Sequence, residues 1–325
     1  MNRKNIIAEL KKHNLLGKRG ACFPAGLKWE AVKKAKGKKK YIICNASEGE
    51  IDVYKDRFVL ENYPEEVVDG VKVALKTIDN SKAYIYLKED YYRKFKKSLE
   101  KLTKGLPVTF FKKPDNYICG EETTILNVIE GGREEPRSKP PYPTQSGLWG
   151  YPTLVNNVET FYHIAQIAKG RYEGNRFYSI EGDVKNRGVF ELPENYPIRK
   201  ILKETDNWPS FDFFVQSGGG ASGEILLPKE LSQPVRGIGS IIVYNRKRTD
   251  LFVLMRKWAE FFMGGNCDKC TPCREGVYRI NEMLKKGKTD KDLLKDIFFV
   301  LESTSYCPMG KIVVVPFKGL IDKLL

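Results

Sequence analysis

Four cysteines near the end of the chain have the type and spacing of ligands to an inorganic cluster. Cys267, Cys270 and Cys273 lie three residues apart, and Cys307 follows after a longer interval. A cubane iron–sulfur cluster needs four thiolate ligands, commonly three close together and one remote. Structural zinc sites usually use two separated Cys-x-x-Cys pairs, so zinc is the weaker alternative. Disulfides are disfavoured because the seven cysteines are odd in number and no signal peptide opens the chain. The pattern therefore favours a [4Fe–4S] cluster, which moves electrons one at a time.

Composition sets wide bounds on the rest of the protein. The chain has 325 residues and a formal charge of +15, and lysine-rich runs at 33–40, 93–104 and 285–291 carry much of that excess. A solvated lysine-rich surface is the simpler interpretation, and no nucleic-acid motif accompanies the lysines. No apolar run reaches the length of a membrane span, so we expect a cytoplasmic protein without direct membrane insertion.

Hydrophobic periodicity predicts an α/β chain of three domains. Residues 1–169 alternate strands at 41–45, 83–87 and 107–111 with helices at 1–16, 65–78, 90–102 and 156–168, which indicates a parallel sheet. Residues 170–247 form a β-rich domain of grasp type, with strands at 177–180, 188–191, 211–216 and 240–244 and a helix at 198–204. Residues 248–325 are helical, with helices at 250–263, 274–285 and 290–301. The cluster cysteines then lie between two helices and after a third.

Several polar runs are candidates for binding a cofactor, each with a simpler alternative. The run 17–29 combines glycines with Lys18, Arg19 and Lys28, which suits a phosphate, although a surface turn is equally consistent. The run 45–50 follows a strand, where ligands bind in open α/β sheets, or else it is an acidic loop. The run 119–124 opens a helix, so its two carboxylates are candidate caps. Residues 156–160 also open a predicted helix, where phosphate binds well. The glycine run 218–223 lacks a following long helix and is interpreted as structural.

Taken together, these runs resemble one family, the NADH- and FMN-binding 51 kDa-type subunit of respiratory complex I and its relatives in NAD-reducing or bifurcating hydrogenases and formate dehydrogenases. The matching segments are KRGACFPAGLKW at 18–29, CNASEGE at 44–50, KDR at 55–57, CGEET at 119–123, EPR with its following prolines at 135–143, GLWGYPTLVNNVET at 147–160 and CDKCTPCREG at 267–276. The resemblance covers nearly the whole chain from Gly17 to Cys307.

The resemblance implies a fold, a mechanism and a set of site residues. The fold is a Rossmann-like FMN/NADH-binding domain, a β-grasp soluble-ligand-binding domain and a helical bundle that carries a [4Fe–4S] cluster. NADH gives a hydride to FMN, and electrons then leave singly through the cluster, so no side chain is expected to be catalytic. The FMN residues are Gly17, Gly20, Lys28, Asn45, Asn156, Asn157 and Thr160. The NADH residues are Phe23, Glu48, Glu50, Tyr117, Glu121, Glu122 and Trp149. Arg19 and Gly120 complete the expected cofactor site.

The implied partners are a thioredoxin-like [2Fe–2S] subunit and a larger iron–sulfur or catalytic subunit. The long N-terminal extension of many relatives is expected to be absent, since the glycine loop begins near residue 17.

Three positions depart from the family pattern. Arg19 and Cys22 stand where relatives have glycine, and Ser47 stands where relatives have aspartate. Side chains at the first two positions can crowd the flavin, and the third change removes a hydrogen-bond acceptor. The Arg19 guanidinium also suits a 2′-phosphate, which favours NADPH as a hypothesis. The competing function is an electron-transfer adaptor that keeps the cluster but has lost flavin.

Overall fold

The computed structural model describes residues 5–20, 22–287 and 290–325. The helices are α1 Ile6–Lys12, α2 Ala25–Lys34, α3 Lys55–Asn62, α4 Pro64–Thr77, α5 Glu89–Leu102, α6 Glu122–Ile129, α7 Val158–Lys169, α8 Ile198–Glu204, α9 Leu251–Gly265, α10 Thr271–Lys285, α11 Lys291–Thr304, α12 Pro308–Ile312 and α13 Val314–Leu324. The strands are β1 Lys40–Ala46, β2 Ser81–Leu87, β3 Val108–Lys112, β4 Thr153–Asn157, β5 Asn175–Gly182, β6 Gly188–Pro193, β7 Phe213–Ser217, β8 Glu224–Leu226 and β9 Ser240–Asn245.

The chain divides into two compact units. The first holds the residues up to Glu48, Tyr54–Asp115 and Cys119–Phe177, and the second holds Gly49–Val53, Asn116–Ile118 and Tyr178–Leu325. Each unit therefore includes segments that lie far from one another in the sequence. The expected division into three domains at 169 and 247 stays a prediction.

The first unit is built on a parallel sheet with strand order β3-β2-β1-β4. The chain adds β2 and then β3 on one side of β1, and it places β4 on the other side. Ligands of open α/β sheets bind outside the carboxyl ends of the strands, at the point where the strand order reverses. In this sheet that switch point lies between β1 and β4, so the polar residues that end these two strands face the expected ligand crevice.

Helix packing covers this sheet with apolar side chains. Helix α4 begins with Pro64 in its first turn, a position that needs no backbone N–H. It buries Val67, Val68 and Val71 and packs against α7. The two helices approach closely at Gly70, where an added Cβ would come within 2.0 Å of the Phe161 carbonyl oxygen. Any larger residue at 70 would force the helices apart.

The second unit combines a mixed sheet with a helical region. The sheet has the order β6-β5-β9-β7-β8, in which β5 and β9 run parallel and β7 is antiparallel to both β8 and β9. Helix α8 packs Ile198, Ile201 and Leu202 against the sheet in one buried cluster. The helical region from α9 onward buries Trp258 and Phe317 edge to face. The predicted fold class is confirmed, with a parallel sheet, a mixed sheet with one helix, and a helical C-terminal region.

Most predicted helices and strands agree with the structure to within a few residues, but the prediction was wrong at β4. A helix was expected from Asn156, whereas Asn156 and Asn157 end strand β4 and α7 begins at Val158. The strand has five residues, pairs with β1 and ends in two asparagines, so its pattern is too short to detect. The short strand β8 and the helices α2, α3, α12 and α13 were also not predicted. The beginning of the predicted helix 1–16 and residues 288–289 of one lysine run lie outside the described residues.

Candidate functional site

A loop between α1 and α2 reaches the switch point of the first sheet. The backbone N–H of Gly17 donates to the Phe23 carbonyl at 3.0 Å, which closes the loop on itself. The N–H of buried Lys18 donates to Thr160 Oγ1 at 3.0 Å, which ties the loop to the first turn of α7. Gly20 is exposed and has open space around the position of an added Cβ. The loop therefore presents accessible backbone beside a helix N-terminus, an arrangement that suits an anionic group.

The polar residues at the end of β1 form a closed hydrogen-bond network. Asn45 Oδ1 accepts from the Ser47 hydroxyl at 2.5 Å and from the Ser47 N–H at 3.1 Å. The Asn45 amide donates to the Gly120 carbonyl at 3.2 Å. Both residues that contribute side chains are buried. The network leaves Gly120 very close to Ser47, since a Cβ at 120 would lie 2.7 Å from Ser47 Oγ.

Arg19 adds a cation to this network. Its guanidinium donates to Ser47 Oγ at 3.0 Å, to the Gly120 carbonyl at 3.0 Å and to the Ser47 carbonyl at 2.8 Å. Three hydrogen bonds from one planar guanidinium fix both its position and its orientation. Arg19, one of the three positions expected to depart from the family pattern, thus lies at the carboxyl end of β1.

The end of β4 is held by asparagines and by a buried group of charges. Asn157 caps α7 by accepting from the Glu159 N–H at 3.0 Å, and its amide donates to Asp56 at 2.6 Å. Lys55 forms ion pairs with Asp56 at 2.5 Å and with Glu159 at 3.0 Å. Burial opposes ionisation of Glu159, but the nearby cations, Lys55 first, hold its pKa well below the usual range. Lys55 and Asp56 of the KDR segment therefore hold Asn157 and Glu159 in place where β4 ends and α7 begins.

Lys28 carries a further positive charge at this crevice. Its Nζ pairs with Glu122 at 2.7 Å and donates to the Val155 carbonyl at 3.2 Å. Asn156, next in the chain, faces Trp29 Nε1 at 2.8 Å. These contacts bring Lys28, Glu122 and Asn156 beside the end of β4.

Other predicted site residues serve the fold of the first unit. Glu48 accepts from the N–H groups of Asp56 and Arg57 at the start of α3 and from the Tyr91 hydroxyl at 2.6 Å. Burial, followed by the charge of Asp56, raises the pKa of Glu48 to about 7. Glu121 caps α6 through the N–H groups of Thr123 and Thr124. The capping alternative considered for the run 119–124 is therefore observed at Glu121.

Trp149 lies away from the crevice. Its ring packs 5.0 Å from that of Tyr41 and 6.2 Å from that of Tyr84, and Tyr41 is at the amino end of β1. Phe23, by contrast, belongs to the glycine loop and is half exposed. The contacts of Arg19, Asn45 and Gly120 lie at the carboxyl end of β1, whereas those of Trp149 lie at its amino end.

Glu50 and Tyr117 belong to the second unit and meet each other there. Glu50 Oε1 accepts from the hydroxyls of Tyr117 at 2.7 Å and Ser222 at 2.6 Å, and Oε2 accepts from the Ala221 N–H at 2.8 Å. This carboxylate anchors the glycine run 218–223. A Cβ at Gly220 would lie 1.6 Å from the Ile51 carbonyl oxygen. The close approach supports the structural interpretation of the run.

The four cysteines of the second unit line one open cavity, together with Asn266, Asp268, Lys269, Tyr306 and Met309. Cys270 is the N-cap of α10 and Cys307 the N-cap of α12. Burial and then the neighbouring thiols raise the pKa of Cys273 to about 12, so ligand binding must release its proton.

Close packing of α12 against α10 brings Cys307 near the other three cysteines. Gly310, in α12, would place a Cβ 3.2 Å from that of Cys273 and 2.3 Å from Ser305 Oγ. This contact brings the segment that holds Cys307 against α10. Among the described residues, no group of three or more His, Cys, Asp or Glu side chains is placed to hold a single metal ion. Three cysteines close together in the chain and one remote cysteine, all lining one cavity, match the ligand set of a cluster better than that of zinc.

No helix in the described ranges is both long enough and apolar enough to cross a membrane. The lysines of the run 33–40 are exposed except Lys40, whose Nζ donates to the Lys33 carbonyl at 2.6 Å. That run is therefore exposed to solvent except at Lys40, and its interpretation as a simple lysine-rich surface stays a prediction.

Comparison with known proteins finds two family models. The Nuo51 FMN-binding domain matches residues 10–166, and the NADH-ubiquinone oxidoreductase-F iron–sulfur binding region matches residues 253–324. The first range contains the crevice between β1 and β4, and the second contains all four cysteines. These matches confirm the predicted cofactors FMN and an iron–sulfur cluster.

Similar proteins span nearly the whole chain. The F subunit of NADH-quinone oxidoreductase in Buchnera aphidicola subsp. Schizaphis graminum is 32% identical over 90% of this chain and 76% of its own length. The HndC subunit of the NADP-reducing hydrogenase in Solidesulfovibrio fructosivorans is 30% identical over 99% of this chain and 75% of its own length. A crystal structure of an NAD+-reducing [NiFe]-hydrogenase in the H2-reduced state aligns with a TM-score of 0.90 at 28% identity. That alignment covers 98% of this chain and 61% of the hydrogenase chain, so this chain spans under two thirds of the solved relative.

Proposed function

The chain belongs to the oxidoreductase family that includes the F subunit of NADH-quinone oxidoreductase, and on this premise we propose that it exchanges a hydride with a nicotinamide nucleotide at FMN and passes electrons singly through a [4Fe–4S] cluster. The observation that carries the proposal is the meeting of the Gly17–Gly20 segment, β1 and β4 at one switch point. A separate four-thiol cavity supplies the electron exit.

The residues at the switch point suit FMN in their chemistry. The open backbone at Gly20, the Lys28 ammonium and the first turn of α7 suit the phosphate. The polar end of β1, with Asn45 and the Gly120 carbonyl, suits a ring rich in hydrogen-bonding groups. When bound, FMN accepts a hydride and returns electrons one at a time. The chain positions the cofactor and excludes water from the buried side of the crevice.

The residues proposed to bind the nicotinamide nucleotide are also chosen for their chemistry. Phe23 offers an exposed aromatic face on the loop, and Glu122 offers a carboxylate held in place by Lys28. Glu50 and Tyr117 form a pair of polar groups that suit ribose hydroxyls. Preference between NADH and NADPH stays open to test, since one similar protein is named for NADP. The proposed partners are a thioredoxin-like [2Fe–2S] subunit and a larger iron–sulfur or catalytic subunit, in a cytoplasmic assembly.

An electron-transfer adaptor without flavin is the second candidate, because Arg19 already uses acceptors at the end of β1. Spectra of anaerobically purified protein, supplied with FMN, iron and sulfide, separate the two functions. The proposed function predicts flavin bands that bleach when NADH is added, together with a broad cluster band. A cluster band with no retained flavin would favour the adaptor.

A further inference from the structure

We propose that Arg19 is an internal latch on the flavin site, a residue that sets how tightly the chain binds FMN. The inference rests on the proposed function, because it concerns the same crevice. Arg19 holds the end of β1 closed through Ser47 and Gly120, and a planar ring can enter only after the guanidinium has left.

The hydrogen bonds at the end of β1 support this step. Ser47 Oγ, the Ser47 carbonyl and the Gly120 carbonyl all accept from Arg19, at 2.8–3.0 Å. Asn45 is occupied as well, since its oxygen accepts from Ser47 and its amide donates to Gly120. A ring that enters this end of the crevice therefore meets polar groups already paired within the chain. It must replace bonds to a charged donor, which are stronger than neutral ones.

The loop residue next to Arg19 is open. Gly20 is exposed and has no atoms within 4 Å of an added Cβ, and the Lys18 N–H ties the loop to Thr160 at the start of α7. Arg19 and Gly20 are neighbours in the loop, but the first is held by hydrogen bonds and the second is open. We assign them separate roles. The loop backbone keeps the phosphate end available while the Arg19 side chain closes the ring end.

The latch also bears on the hypothesis that Arg19 selects NADPH. A guanidinium held by three bonds to its own chain is not presented to a 2′-phosphate. The latch therefore predicts that Arg19 acts first on FMN affinity.

The test compares FMN dissociation constants of the full chain after flavin removal, by quenching of flavin fluorescence. We expect R19G to bind FMN at least tenfold more tightly than the wild type, because the acceptors become available to the ring. R171G is the matched control, since Arg171 is exposed and lies beyond α7, and its affinity should equal that of the wild type. Cluster absorbance and melting temperature check that each variant is folded.

A second substitution, S47D, tests the latch because it should change FMN affinity in opposite directions with and without Arg19. In the wild-type background, S47D should weaken FMN binding, because the new carboxylate pairs with Arg19 and strengthens the latch. In the R19G background the same substitution should tighten binding, because the carboxylate is then available to the ring. A change of the same sign in both backgrounds would overturn the latch.

The outcomes separate the latch from the proposed function. Wild-type protein that binds FMN as tightly as R19G, or more tightly, refutes the latch and leaves the flavoprotein function standing. Failure of both proteins to bind FMN, with the cluster intact, refutes the latch and the flavin part of the function together.

Discussion

Arg19 donates two hydrogen bonds to a single residue, Ser47, one to the hydroxyl at 3.0 Å and one to the carbonyl at 2.8 Å. The two residues lie 28 positions apart, and both are positions at which the resemblance led us to expect a departure from the family pattern. Their contact links a glycine loop to the end of a buried strand. Two departures that the sequence presents separately thus act on one place in the crevice.

Removing one cysteine should abolish the cluster without removing the flavin. Cys270 caps α10 and lines the four-thiol cavity of the second unit, whereas the proposed flavin residues Asn45 and Asn157 lie in the first unit. We expect C270S to lose most of its cluster iron and its broad visible band. Iron and sulfide analysis of the reconstituted protein provides the measurement. C44S is the control, since Cys44 is buried in β1, and full cluster iron in C270S would refute the ligand assignment.

Glu159 should make the stability of the first unit depend on acid pH. Its folded-state pKa is lowered, against the cost of burial, by Lys55 and other cations. Its contribution is therefore complete above the unfolded-state pKa near 4.5 and is lost as pH falls through and below that value. Substitution to glutamine leaves Lys55 short of one partner, and breaking a buried pair costs about 3–5 kcal/mol.

Urea unfolding at several pH values measures this effect. The stability difference between wild type and E159Q should be largest near pH 7 and should shrink as pH falls below 4.5. E173Q is the control because Glu173 is exposed. A difference that stays constant down to about pH 3 would show that the Glu159 charge does not contribute.

The glycine run 218–223 should tolerate no side chain at 220. A methyl group there would lie 1.6 Å from the Ile51 carbonyl oxygen, so the loop or the backbone at 51 must move. Overpacking of this kind typically costs about 1–3 kcal/mol. Thermal unfolding should show a clearly lower melting temperature for G220A. By contrast, G264A adds its methyl group in open space within α9 and should be neutral or slightly stabilising.

A substitution of Trp149 tests whether this residue contacts NADH, as the resemblance to the family implied. Because its ring packs on Tyr41 and Tyr84, we expect W149A to lower stability by about 1–2 kcal/mol through lost aromatic packing. The KM for NADH should stay within about twofold of the wild-type value. F23A is the matched comparison, since Phe23 lies on the glycine loop, and its KM should rise. A large increase of KM in W149A would instead support the NADH contact that the resemblance implied.

The sequence by itself determined the elements with strong local signals. The buried strand at 41–45, the helix at 198–204 and the spacing of the four cysteines each depend on residues that are close in the chain, so periodicity and spacing reveal them. Family motifs likewise indicated FMN and a cluster. The short strand β4 was missed because its pattern is weak over five residues and its pairing with β1 is a long-range contact.

Only the tertiary structure decided what the polar residues do. Glu48 and Glu121 look alike as candidate ligands in the sequence, but both cap helices because folding brings N–H groups to their carboxylates. Trp149 was expected at the cofactor, yet it packs at the amino end of β1. Arg19 and Ser47 meet only because the sheet brings residue 47 beside the loop. Local sequence fixes which groups are present, whereas long-range packing determines which partner satisfies each buried polar group.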